Sequence, residues 1–396
     1  MCVPSSTRQD SGKHVLVVGA GNIGSHFVSH LPRMPGVARI TLVDRDLYEQ
    51  KNLCSQDITA HDVGKAKATV QAQRVRRINP ALHITAVVED VENLPLGSLR
   101  ADVIVACVDS RRTRQYLNQT AWRLGVPWID AGVQGDSLLA RVNVYVPGPD
   151  SPCLECAWDQ RDYEALEQTY PCELNQRPLH PAPLPPGARE PDVEERAIPC
   201  ESGLRAMTSP TNAPSSLGAL AAALQAIECQ KLLTGHYEQV AASRQVLIDA
   251  AYHRHYVTTF RRNPGCRFDH ALWTIERVKC RPQELTLRDV FALREGSNGE
   301  GSSSALRIEG RTFIRQLTCP GCGRAKPLWR FAGPLHHGCR CGQQLVAAGH
   351  EMTEWLTATE LPWYVLARSL HRLGIRSGDV ITLRSRTEEH NYQIGI

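Results

Sequence analysis

The sequence predicts an α/β fold built on a doubly wound, mostly parallel sheet, with a smaller β-rich module behind it. Three observations predict it. Apolar runs of strand length alternate with stretches of helical period from His14 to Val146. The first run ends in a glycine-rich turn, Gly19-x-Gly21-x-x-Gly24, from which a helical pattern starts. Late in the chain, two cysteine pairs lie beyond a Gly- and Ser-rich linker at residues 295–305.

Residues 1–13 read as a polar arm. Val15 to Val18 is long enough for a buried strand and too short for a helix that must hide a whole face. Ile23, Phe27, Val28 and Leu31 recur at helical spacing, and Ile40 to Val43 form a second strand ending in Asp44. A strand, a Gly-rich turn, a helix and a second strand tipped with a carboxylate make a Rossmann-like nucleotide-binding unit. Glycines let the backbone approach a ligand, the helix start favours an anion, and the carboxylate accepts ribose hydroxyls. The fingerprint itself leaves dinucleotide and ATP open.

Helical spacing continues over 64–77 and 113–124, with strands over 84–88, 103–107 and 127–130. Residues 138–146 alternate polar and apolar, as suits a strand in the far half of the sheet. Prolines crowd residues 174–199, which read as an extended loop. Leu217 to Leu233 is apolar on most faces and stops at Gly235, so it is a buried helix. Closing strands are expected at 246–248 and 256–260, which makes residues 14–294 one unit and 306–396 another. The tail from Leu373 has the turn-then-strand pattern of a small β-rich module.

Of the 396 residues, 42% are hydrophobic and 22% charged, with a formal charge of +4. That is ordinary for a globular protein and argues for neither nucleic acid nor membrane as a partner. Arg74, Arg76 and Arg77 read as one solvated helix face. The sequence has no membrane-length apolar run and its N-terminus lacks a signal-peptide pattern, so a cytoplasmic location is expected. Of the 14 cysteines, several stand in metal-like pairs. Cys319-Pro-Gly-Cys322 and Cys339-Arg-Cys341, with His336 and His337 nearby, read as a zinc-ribbon site. Four thiolates close a tetrahedral Zn²⁺ site, so its role is structural or partner-binding.

The motifs GAGNIG, LVDRD with Asp44, NLCSQ at Asn52 to Gln56, GKAK at Gly64 to Lys67, and VDS with Asp109 and Ser110 follow one another in register. Together they resemble the ThiF/MoeB/HesA family of ATP-dependent adenylating enzymes, bacterial relatives of ubiquitin-activating enzymes, over residues 13–270. The resemblance implies an ATP site made by Gly19, Gly21, Asn22, Gly24, Asp44, Asn52, Gln56, Lys67 and Asp109. Asp44 would hold the ribose, Asn52 and Lys67 would face the phosphates, and Asp109 would hold Mg²⁺. The implied substrate is the C-terminal carboxylate of a small ubiquitin-like or sulfur-carrier protein, and the implied assembly is a homodimer.

The resemblance also implies a structural Zn²⁺ site joining Cys153 and Cys156 to the region of Cys266 and His270, which replace the two downstream cysteines usual in the family. Many members pass the adenylated product to a cysteine ahead of the long helix, a position occupied here by Thr208. The crossover loop, residues 160–212, carries Cys172 and Cys200 instead, and ubiquitin-activating relatives place their thiol in such a loop. Cys54, Cys107 and Cys229 read as packing residues.

Two departures stand out: Ser55 replaces an arginine of the family pattern, and Ser110 replaces an asparagine. Lys51, Lys65, Arg111, Arg112 or a residue of a partner subunit are the candidate substitutes for the lost charge, and Arg8 is the arm's candidate for reaching a partner's site. Ser55 and Ser110 also favour an alternative, a non-catalytic scaffold that binds nucleotide and a partner. An NAD(P)-dependent oxidoreductase is a third reading. The in-register Asn52, Lys67 and Asp109 oppose it, and titration with NADH against ATP separates the two.

Overall fold

The computed structural model describes residues 12–167, 213–293, 305–332, 338–385 and 388–395. The elements of the first unit are β1 (Lys13–Val18), α1 (Asn22–Phe27), β2 (Val37–Val43), α2 (Lys67–Ile78), β3 (His83–Val87), β4 (Val103–Ala106), α3 (Arg111–Leu124), β5 (Trp128–Gln134), β6 (Leu139–Tyr145), α4 (Gln160–Glu167), α5 (Ser215–Thr234), β7 (Arg244–Asp249) and β8 (Arg254–Thr259). They form one eight-stranded sheet in the order β3-β2-β1-β4-β5-β6-β7-β8. The β3 to β5 half is parallel and the β6 to β8 half antiparallel. The strand order reverses between β1 and β4, and such a switch point leaves a crevice at the C-terminal strand ends.

Packing explains the order. Val15, Val17, Ile40, Leu42, Val103 and Val105 point to one face, under α1, α2 and α5, while Leu16, Val18, Val43, Ile104 and Ala106 point to the other, under α3. Helix α5 lies on β4, β5 and β6 and against α1, which is why it is apolar nearly all round. Gly235 ends it at φ +79°.

Most expected elements fall where periodicity placed them, with shifted ends. The helix expected from residue 64 starts at Lys67, because Gly64 is held at φ +84° and Ala66 is extended. The strand expected over 127–130 runs on to Gln134, because β6 pairs with it along its whole length.

The second unit holds β9 (Ile275–Val278), α6 (Leu287–Ala292), β10 (Ala305–Ile308), β11 (Phe313–Thr318), β12 (Ala325–Phe331), β13 (Met352–Thr353), β14 (Leu356–Thr357), α7 (Trp363–Leu366), β15 (Val380–Arg384) and β16 (Glu389–Ile394). Its sheets run β14-β10-β15-β16-β9 and β12-β11-β13. The expected boundary at residue 294 does not follow the packing: β9 pairs with β16, and Val278, Leu287, Val290 and Phe291 belong to the second core. This unit docks on the β3–β4 connection, where Gly97 N donates to Gly378 O (2.8 Å) and Arg376 Nη2 donates to Asn93 O (2.6 Å). No helix among the described residues is long and apolar enough to cross a membrane.

His14, on β1, donates its backbone N–H to Asp102 Oδ2 (2.8 Å), and its ring lies against Thr41 Oγ1 (2.9 Å). Burial, with Arg39 alongside, lowers its pKa to about 4. The unfolded chain therefore binds more protons between pH 6.5 and 4, and stability falls as pH falls through that window. A loss on the order of 2 kcal/mol is expected from this group between pH 7 and pH 5. His14→Gln should remove that part of the pH dependence of the urea midpoint, and an unchanged dependence would exclude His14 as its source.

Candidate functional site

The three glycines of the loop have different jobs. A Cβ on Gly19, whose φ is +94°, would meet Cys107 O at 2.4 Å, and one on Gly24 would meet Gly19 O at 2.0 Å. Those two let β1, α1 and β4 close on one another. Around Gly21 the nearest atom to such a Cβ is Gln56 Nε2 at 4.0 Å, so this is where the loop leaves room for a ligand. Beneath it, buried Tyr48 donates to Ala20 O (3.0 Å) and accepts from Gln71 Nε2 (2.9 Å), tying the loop to α2.

Asp44 stands at the end of β2 as expected. Its Oδ2 accepts from Ala20 N (2.6 Å) and its Oδ1 from Asp46 N (2.8 Å). Burial raises its pKa, against the opposing pull of Lys67. Lys67, at the start of α2, is nearly buried and paired through Nζ with Asp46 (3.2 Å). Asp109 follows β4, exposed, and its carboxylate has no hydrogen bond or ion pair among the described residues. Asp44 and Asp109 thus follow the C-terminal ends of β2 and β4, the two strands that flank β1 and its Gly loop, and Lys67 reaches Asp46 beside Asp44. An exposed carboxylate with free oxygens suits a hard cation such as Mg²⁺, and the open Gly21 suits a phosphate.

Other expected residues are placed differently. Asn22 packs its amide against the start of α5: Nδ2 donates to Ala213 O (2.9 Å), just before the helix, and Oδ1 fills the space over Gly218, where a Cβ would sit 1.8 Å away. Asn52 uses Oδ1 to cap its own short 3₁₀-helix, accepting from Glu49 N (2.8 Å). Gln56 lies beside Gly21, and its buried Oε1 has no hydrogen-bond partner among the described residues. Ser55 is buried, and Ser110 caps α3 by accepting from Thr113 N (3.3 Å). Lys51 is paired with Glu49 (3.1 Å), Arg111 with Asp162 and Arg112 with Glu92 (3.4 Å). Among the described residues only Lys65 of the four candidate substitutes is outside an ion pair.

Sequence reasoning missed the group behind Asp109. Asp130, fully buried on β5, accepts from Arg114 Nε (2.8 Å) and from Arg141 Nη1 (2.8 Å). The available signal was a carboxylate inside the apolar run WIDAGV, since a buried carboxylate needs a partner.

Both cysteine sets converge. The donor atoms of Cys153, Cys156, Cys266 and His270 lie within 4.8 Å of one another, as do those of Cys319, Cys322, Cys339 and Cys341. In the first set, burial and Arg262 lower the His270 pKa to about 4, which keeps the imidazole neutral as a ligand must be. Against burial, the N–H groups of Asn263 and Cys153 pull the Cys156 thiol down. In the second set, Gly323 and Gly342 take φ of +67° and +89° and close the two knuckles on Cys319 O and Cys339 O (3.0 Å each). His336 and His337 lie outside the described residues, as do Arg8, Thr208, Cys172, Cys200, most of the crossover loop and nearly all of the linker. Cys107 and Cys229 are buried, with thiols pushed up by desolvation, as packing residues are; Cys54 is exposed, contrary to its expected packing role.

Residues 7–268 match the ThiF family. The NEDD8-activating enzyme E1 catalytic subunit of Saccharomyces cerevisiae is 32% identical over 155 residues, which cover 37% of this chain and 51% of that protein. The sulfur carrier protein adenylyltransferase of Thermus thermophilus is 30% identical over 259 residues, covering 64% and 80%. E. coli MccB, solved with succinimide, is 22% identical with a TM-score of 0.47, covering 64% and 66%. The chain spans about half the length of the yeast relative.

Proposed function

The chain belongs to the ThiF family, and from that premise we propose that it adenylates the C-terminal carboxylate of a small ubiquitin-like or sulfur-carrier protein with ATP. The observation that carries this reading is the meeting of the Gly21 opening, Asp44, Lys67 and Asp109 at the switch point of the sheet. The relatives support it, since they include an activating enzyme for a ubiquitin-like protein and an adenylyltransferase of a sulfur carrier.

In this reading the carrier's carboxylate oxygen attacks the α-phosphorus, a P–O bond forms and pyrophosphate leaves. Asp44 orients the ribose through whatever acceptor capacity Ala20 and Asp46 leave it. Lys67 exchanges Asp46 for the phosphates and offsets their growing charge. Asp109 would hold Mg²⁺, which supplies charge neutralisation on the phosphates. The test is exchange of labelled pyrophosphate into ATP in the presence of candidate carriers ending in Gly-Gly. Nucleotide binding without exchange, with every carrier tried, would sink the enzyme claim.

That second outcome is what a non-catalytic nucleotide-binding scaffold would give. Ser55 in place of an arginine favours it, as do the ion pairs that occupy Lys51, Arg111 and Arg112.

After adenylation, transfer to Cys200 or Cys172 as a thioester is a further part of the proposal. A thiolate would attack the acyl-adenylate carbon and AMP would leave. The conjugate with the carrier should be split by reducing agent and should vanish on substituting one of the two cysteines. Its persistence when both are replaced would remove the thioester step. The cysteine sets are proposed as structural Zn²⁺ sites and the assembly as a homodimer in the cytoplasm.

A further inference from the structure

Asp109 carries the metal in the adenylation reading, yet among the described residues its carboxylate makes no hydrogen bond or ion pair, so its aim there is set by the backbone. We infer that Arg114 is a positioning residue that sets this aim, braced by Asp130 and Arg141; the inference rests on the adenylation reading. Arg114 lies in the first turn of α3. Its Nη2 donates to Val108 O (2.6 Å) and its Nη1 to Asp109 O (3.2 Å). Those carbonyls belong to the two peptide groups flanking the Asp109 Cα, so one guanidinium holds the backbone on both sides of the residue.

The guanidinium is itself anchored to the neighbouring strand. Nη2 reaches Ala131 O (3.3 Å), and Nε reaches Asp130 Oδ1 (2.8 Å). Asp130 is fully buried, and its other oxygen takes Arg141 Nη1 (2.8 Å) from β6. Arg141 passes over Gly132, where a Cβ would stand 3.0 Å from Nε, so the glycine makes room for the brace. One carboxylate between two guanidinium groups, with both oxygens bonded, holds a fixed geometry. Lysine has no rigid fork and cannot grip Val108, Asp109 and Asp130 at once.

The test uses the full chain with ATP, and Mn²⁺ as a paramagnetic stand-in for Mg²⁺. Arg114→Lys is expected to weaken Mn²⁺ binding to the ATP complex by about 10- to 100-fold, the range seen when groups that orient a metal ligand are changed. Affinity for ATP without metal should stay unchanged. Asp109→Asn should show a loss at least as large, and adding Arg114→Lys to it should cost nothing more, since one residue acts through the other. Wild-type metal affinity in a folded Arg114→Lys protein, or a further loss in the double variant, would overturn the assignment.

If Arg114→Lys does not fold, Arg141→Lys tests the brace more gently. It should give a smaller loss in the same direction, and an unchanged affinity would overturn the role of the brace. Wild-type protein that binds ATP but no Mn²⁺ would overturn the reading of Asp109 as a metal carboxylate, and this inference with it. Results confined to the arginine variants bear on positioning alone.

Discussion

Asp109→Ala is expected to abolish exchange of pyrophosphate into ATP, a fall of roughly a thousandfold or more. The expectation follows from where the residue stands. Its carboxylate is exposed at the end of β4 and bonded to nothing among the described residues, so removing it breaks no packing and no ion pair. The thermal midpoint should therefore hold. Binding of ATP should largely survive as well, because the Gly loop and Asp44 are independent of the side chain. A lost reaction with intact fold and retained nucleotide is the signature of a group that acts on the reacting phosphates. Exchange within tenfold of wild type would show that the metal, if one is used, is held elsewhere.

Cys153→Ser is expected to lower the metal content from about two zinc ions per chain to one and to destabilise the first unit severely. Structural zinc sites supply about 10–16 kcal/mol of apparent binding free energy in small domains. Here a metal would tie the turn after β6 to the segment after β8, joining Cys153 and Cys156 to Cys266 and His270. If only a third of that energy is lost, about 3–5 kcal/mol, the midpoint falls by roughly 7–20 °C, at about 2–4 °C per kcal/mol for a unit of this size. Cys341→Ser should likewise remove one zinc ion but leave the unfolding of the α/β unit nearly unchanged, because its cluster lies in the second unit, by β11 and β12. Plasma mass spectrometry and calorimetry check both. A wild-type protein with one zinc ion would mean that Cys319, Cys322, Cys339 and Cys341 are free thiols.

Much of the molecule was legible because the signals are local. The buried strands announce themselves as short apolar runs, and α5 as a helix apolar on nearly every face. Asp44 and Asp109 follow strands, and a strand end fixes where the next residue emerges. The shifted start of α2 shows the limit even there: helical spacing begins before Lys67, but a left-handed Gly64 and an extended Ala66 delay the helix.

The sequence by itself determined the alternation of strands and helices from His14 to Val146, the Gly loop, the carboxylates at the strand ends and the set of Cys319, Cys322, Cys339 and Cys341. Each depends on residue type and spacing along the chain. Only the tertiary structure decided that Asn22 packs on Gly218 of α5, that β9 joins the second sheet, and that Asp130 is shared by Arg114 and Arg141 behind Asp109. These depend on which surfaces meet, and the residues of the first two pairings come from distant parts of the chain. The direction a polar side chain takes is set by the partner that satisfies it once water is excluded.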